Sequence, residues 1–185
     1  MRLIIAAVLG GLIMFVWGAV GHMFLGIGEA GVSPMPNESV MAAAMKANIT
    51  DAGLYTLPGI DMKKTKTPDE EAAFAAKYKE GPIALLVYRP TGDEIMSPKQ
   101  LGIELASNIA AALVVGMILT FAAVSWGRGV IISTLVGLAA WLSINVSYWN
   151  WYGFPTNFVT SELIEQVVGW LLSGFVLGYI LRRRD

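Results

Sequence analysis

Most apolar positions in this chain do not recur at one-sided helical or strand spacing. They run together into four blocks, residues 3–25, 101–124, 130–146 and 163–181. As helices rising 1.5 Å per residue, the blocks are about long enough to cross the ~30 Å hydrocarbon layer of a bilayer. An element apolar on every face needs apolar surroundings on every face. The pattern therefore predicts a membrane all-α bundle of four transmembrane helices.

Between the first two blocks the pattern changes. Residues 26–100 are polar and punctuated by Pro34, Pro36, Pro58, Pro68, Pro82, Pro90 and Pro98, each of which limits an element. Asn37 is placed to cap a helix over 38–47, with Val40, Met41, Ala44 and Met45 as a narrow apolar stripe. Thr67-Pro68-Asp69-Glu70 combines a cap, a first-turn proline and acids at the positive dipole end, which predicts a second helix to Lys79 with Phe74 and Tyr78 facing a core. Residues 53–57 and 82–88 read as strands, and 90–93 as a turn. A small α+β extracytoplasmic domain inserted between helices 1 and 2 follows, dividing the chain at 1–25, 26–100 and 101–185. Ser97-Pro98 then opens the second long helix.

Composition agrees: 55% hydrophobic and 15% charged residues, with a mean hydropathy of +0.59, leave too little polar surface to coat a water-soluble globule. A formal net charge of −1 argues against a nucleic-acid surface. With no cysteine, disulfides, thiolate metal sites and thiol catalysis are excluded. The first block exceeds the ~7–15 apolar residues of a signal-peptide core and has no small-x-small site near 26–31, so it is read as a span.

Arg2, Arg128 in what reads as a tight turn over Trp126-Gly127-Arg128-Gly129, and the terminal run Arg182, Arg183 and Arg184 all fall on one side of the four spans. By the positive-inside rule that side is cytoplasmic. Lys46, Lys63, Lys64, Lys66, Lys77, Lys79, Arg89 and Lys99 then lie outside, which the rule tolerates because segments longer than roughly 60 residues translocate largely regardless of charge. The runs 17–23 and 28–31 resemble stretches of bacterial membrane proteins. That resemblance implies no activity, but it suggests a bacterial inner membrane with residues 26–100 periplasmic.

Polar groups inside apolar helices are expensive and usually have a partner or a task. Here they converge: His22, Glu104 with Asn108, Asn145, and Glu162 with Glu165 and Gln166 all come to the outer-leaflet end of their spans. Glu104 and Asn108 share a helical face, as do Glu162 and Glu165. His22 and Glu29 would also align if the first helix ran on through Gly26-Ile27-Gly28, which those glycines disfavour. A lone His with carboxylates could bind a divalent ion or relay protons, but mutual hydrogen bonding that fixes helix register accounts for the same groups, and no metal site is assigned. Tyr148, Trp149, Trp151, Tyr152 and Phe154 read as an outer loop whose rings form an interfacial belt, or else a wall for a lipid or other ligand. Gly11, Gly18, Gly21, Gly174 and Gly178 permit close helix approach, within the bundle or against another subunit.

No phosphate-binding, nucleophile-elbow, zinc-protease or haem-attachment motif is present. The sequence favours a non-enzymatic accessory or scaffold subunit, with the bilayer and other membrane subunits or a second copy as partners and no cofactor identified. The alternative is a small membrane enzyme or carrier for a lipophilic substrate such as a lipid, quinone or pigment. The charge pattern predicts that a Lys64→Cys variant, whose thiol has no native competitor, is labelled by an impermeant thiol reagent added to intact cells. Labelling only after lysis would reverse the topology.

Overall fold

The computed structural model describes residues 1–61 and 63–183. Its helices are α1 (Arg2–Phe24), α2 (Glu38–Asn48), α3 (Pro68–Glu80), α4 (Pro98–Phe121), α5 (Trp126–Tyr152) and α6 (Thr156–Leu181), with strands β1 (Gly53–Leu57) and β2 (Ala84–Tyr88). Among the described residues α1, α4, α5 and α6 are long and apolar enough to cross a membrane. The chain forms two units, one from residues 1–33 and 95–185, the other from residues 34–94.

In the smaller unit β1 and β2 pair antiparallel, with Gly53 opposite Tyr88 and Leu57 opposite Ala84. Thr67 caps α3 as the sequence predicts, its hydroxyl accepting from the Glu70 N–H while Glu70 accepts from the Thr67 N–H at 2.8 Å. Asn37 does occupy the cap position of α2, but in left-handed geometry and without a side-chain bond. The expected core is thin: Phe74 and Tyr78 touch at 5.9 Å, yet Tyr78 is exposed, and Tyr88 is the unit's one buried large apolar residue among those described.

The larger unit is an antiparallel four-helix bundle. Ser97 and Gln100 form a reciprocal cap that starts α4. Residues 126–129 are not the turn their glycines suggest; the turn is 122–125, and Arg128 lies in the first turn of α5. Gly129 is needed for packing instead, since a Cβ there would come 2.8 Å from the Gly178 Cα. The aromatic run is likewise not a loop. α5 continues through Tyr152 and stops at Gly153, which is left-handed and donates to the Tyr148 carbonyl. At 27 residues α5 is about 40 Å long.

Small residues fill the inside of this bundle and large apolar ones cover its outside. Ala6, Ala7, Gly10, Gly11, Ala112, Gly116, Ser133, Gly137 and Gly174 are buried, while Phe121 is 86% and Ile131 60% exposed. The glycine stripes are used internally. Cβ atoms at Gly174 and Gly178 would lie 2.8 Å from the Ser133 Cβ and the Trp126 carbonyl, and one at Gly11 would lie 2.5 Å from the Ile109 backbone. α6 is the hub, packed against both α5 and α1, while α1 also carries α4. Indole N–H groups pin it: Trp17, Trp126 and Trp141 donate to the carbonyls of Glu165, Phe175 and Val159 at 3.0, 3.0 and 2.8 Å. At the end holding both termini, the Arg2 guanidinium donates to the Ile180 carbonyl and the Arg183 N–H to the Val124 carbonyl. Arg184 lies outside the described residues.

Gly11→Ala should lower stability by about 1–3 kcal/mol, because backbone stands where the methyl must go. Gly102→Ala, with nothing within 4 Å of the new methyl, should be neutral or mildly stabilising. Unfolding of both variants in micelles checks the contrast.

Candidate functional site

At the bundle end opposite the termini, α1, α4 and α6 enclose a cavity of about 480 Å³. Its polar lining is His22 from α1, Glu104 and Asn108 from α4, and Glu162, Glu165 and Gln166 from α6. The remainder is apolar and aromatic, with Met14, Phe15 and Trp17 from α1 and Leu101 from α4.

Each polar group is positioned by its helix. Glu104 and Asn108, one turn apart, are joined by a 3.2 Å bond from the amide to the carboxylate. Glu165 lies three residues beyond Glu162, and its Oε2 meets the His22 Nε2 at 3.0 Å. The His22 side chain is 49% exposed and that of Glu165 21%, which puts the imidazole at the rim and the carboxylate further in. Glu165 Oε1 sits beside Gly18, where even a Cβ would stand off at 3.6 Å, so α1 leaves that oxygen room. Trp17 fixes the same turn of α6 through the Glu165 carbonyl.

Of the residues singled out in the sequence, His22, Glu104, Asn108, Glu162 and Glu165 line this one cavity. Asn145 lines a second groove, of about 280 Å³ between α5 and α6, and reaches the cluster only through a 3.5 Å contact with Glu162 Oε2. Glu162 and Gln166 border both spaces. Tyr148 and Phe154, stacked at 5.2 Å, line that second groove with Phe158. Trp149, Trp151 and Tyr152 do not line it; Trp149 donates to the Thr156 hydroxyl and Trp151 is exposed. Glu29 is not part of the cavity lining, because α1 ends at Phe24 and Gly26 turns left-handed.

Two glycines that position the site give no sequence signal for it. Gly18 spares Glu165, and Gly28 lies against the His22 ring. Either could have been read as a generic helix contact or breaker. Chemically, the cavity offers three carboxylates against one imidazole, two amides, and no lysine or arginine among its lining residues. Such a lining favours a cation or a hydrogen-bond donor and repels anions. Among the described residues no three His, Asp or Glu side chains are grouped to hold a metal ion.

No protein-family model, curated protein or solved structure matches the chain.

If the His22–Glu165 contact is a working bond, a double-mutant cycle of His22→Ala and Glu165→Ala should give a coupling of about 0.5–1.5 kcal/mol in micelle unfolding. His22→Ala with Glu104→Ala should be nearly additive. A vanishing first coupling would show that the pair does not bond.

Proposed function

We propose that this is an integral membrane protein that binds, and serves as a carrier for, a small lipophilic molecule with a cationic or hydrogen-bond-donating end. The observation that carries this reading is the cavity itself, in which carboxylates from two helices, balanced by one imidazole, face an apolar wall of Met14, Phe15 and Leu101. A cation in such a place gains charge-assisted hydrogen bonds in poorly hydrated surroundings, and the apolar wall takes its hydrocarbon. Membrane insertion is supported by the four long apolar helices and by the arrangement of small residues inside and large apolar residues outside. Insertion with both termini in the cytoplasm of a bacterial inner membrane puts residues 26–100 in the periplasm and the cavity in the outer leaflet, with the Tyr148–Tyr152 end of α5 at headgroup depth.

The reading as an accessory subunit of a larger membrane complex rests on a different observation. The smaller unit has almost no core, and Leu54, Leu57, Ile83 and Val87 are exposed. A two-stranded sheet of this kind is marginal alone and gains stability by docking. The glycine stripes lend this reading less, because Gly11, Gly174 and Gly178 are occupied within the chain.

Long-chain alkylammonium ions and fatty acids of equal chain length, offered to the protein in lipid nanodiscs, separate the two readings. The amine should raise the unfolding temperature, since saturation at 100 times Kd is worth about 2.7 kcal/mol. The fatty acid should not, and Glu162→Gln with Glu165→Gln should remove most of the amine's effect. Equal shifts for both amphiphiles, or an amine shift indifferent to the two substitutions, would defeat the carrier reading.

A further inference from the structure

Immediately after α1 the chain folds back against α1 and α6, next to the cavity residue His22. Gly26, at φ 66°, reverses its direction, and residues 27–29 form a single 3-10 turn closed by bonds from the Glu29 and Ala30 N–H groups to the Gly26 and Ile27 carbonyls. Three contacts tie this turn to the bundle. Ile27 Cδ1 would be 3.5 Å from a Cβ on Gly21 of α1. Gly31, at φ 77°, lies so close to the start of α6 that a Cβ would stand 2.8 Å from both the Phe158 Cβ and the Asn157 Oδ1. Between them, Gly28 lies against the Nδ1 side of the His22 imidazole. A Cβ there would collide with Nδ1 and come 2.7 and 2.8 Å from Cγ and Cε1.

The imidazole is therefore held on both sides, with Gly28 against one part of the ring and Glu165 Oε2 on Nε2. His22 is also the one basic side chain among the described residues that line the cavity. It sits at the rim of the cavity, half exposed.

We infer that residues 26–31 are a strap that, through Gly28, positions the His22 imidazole on Glu165 and so closes the mouth of the cavity. An incoming cation takes the carboxylate oxygen that His22 vacates. This rests on the proposed ligand cavity but makes a separate claim, that His22 is the occupant entry must displace and that the strap sets how readily it leaves. Gly28 is a positioning residue acting through His22.

The absence of native cysteine permits a direct test. Met14 lines the cavity two turns below His22 on α1. The rate at which a cationic methanethiosulfonate reagent modifies Met14→Cys in nanodiscs reports passage through the mouth. His22→Ala should raise that rate about two- to tenfold, the factor expected for losing one hydrogen bond. Gly28→Ala, which drives the ring off Glu165, should raise it similarly. In the His22→Ala background Gly28→Ala should add nothing, a non-additivity that a merely structural glycine would not show. Ile27→Ala loosens the strap without adding bulk and should move the rate the same way if Gly28→Ala does not fold.

Labelling of Met14→Cys that is fast in the parent and unchanged by His22→Ala, or Gly28→Ala acting undiminished without His22, would overturn the strap while leaving the cavity intact. No labelling in any background, with full labelling after denaturation, would remove the strap and the ligand cavity together. A cationic reagent no faster than its anionic sulfonate counterpart would count against the proposed ligand class alone.

Discussion

Close approach of backbone to α6 is the constraint from which the rest of the bundle follows. In a bilayer, apolar side chains gain nothing by leaving lipid for one another, so helices associate through tight van der Waals contact and hydrogen bonding. α6 meets both needs. Gly174 and Gly178 admit the backbone and small side chains of α5, and Gly169 admits Trp17 and Met14 of α1. The indoles of Trp17, Trp126 and Trp141 then reach carbonyls along α6. A buried indole N–H without a partner is costly in hydrocarbon, so each bond also fixes where its ring must sit.

That anchoring explains why polar residues spaced widely in sequence meet at one depth. Trp17 holds the very turn of α6 that carries Glu165, and Gly18, its chain neighbour, leaves the carboxylate space. His22, a little over one turn further along α1, then arrives at Glu165. The register of α1 on α6 thus sets the contact at the rim. On the other side, Gly11 seats α1 against Ile109, next to Asn108. One helix therefore indexes both α4 and α6, and the cavity between them inherits its shape from α1.

Much of the helical architecture is legible because it depends on local signals. The four apolar blocks, the Thr67 and Ser97 starts and the strand at Gly53–Leu57 all follow from hydropathy, capping chemistry or β propensity. The errors fall where a residue's partner decides its role. Gly127 and Gly129 look like a turn, yet Gly129 serves contact with Gly178. The aromatic run before Gly153 looks like a loop, yet Trp149 donates across a three-residue connection to Thr156 and the Tyr148 carbonyl accepts from Gly153, so α5 runs on. Antiparallel connectivity brings His22, Glu104, Asn108, Glu162 and Glu165 to the same end of the bundle, and the register of α1 on α6 turns them toward one cavity. Asn145 stands apart because depth does not specify which side of α6 a residue faces. The apposition of Gly28 and His22 depends on a reversal at Gly26 and has no periodic signature.

The two ends of the bundle are built on opposite principles, and this bears on how a ligand could use it. Toward the termini, Gly10 meets Ser173 and Leu177, Gly116 meets Leu3, and Leu119 and Leu177 are wholly buried, so the helices pack closely at these positions. Toward the other end the inward positions are long and polar, and over their whole lengths α4 and α6 touch each other far less than either touches α1. Carboxylates cannot interdigitate as glycines do, because like charges repel and each needs a donor, so the helices stand apart where Glu104 and Glu162 face inward. The cavity is thus a consequence of placing acids where the packing rule calls for small residues. Below it the helices are packed through glycine contacts, an arrangement that accords with the proposed carrier rather than with a pore. Movement of α4, held chiefly by α1, would change the cavity's width without disturbing the α5–α6 contacts that keep the bundle together.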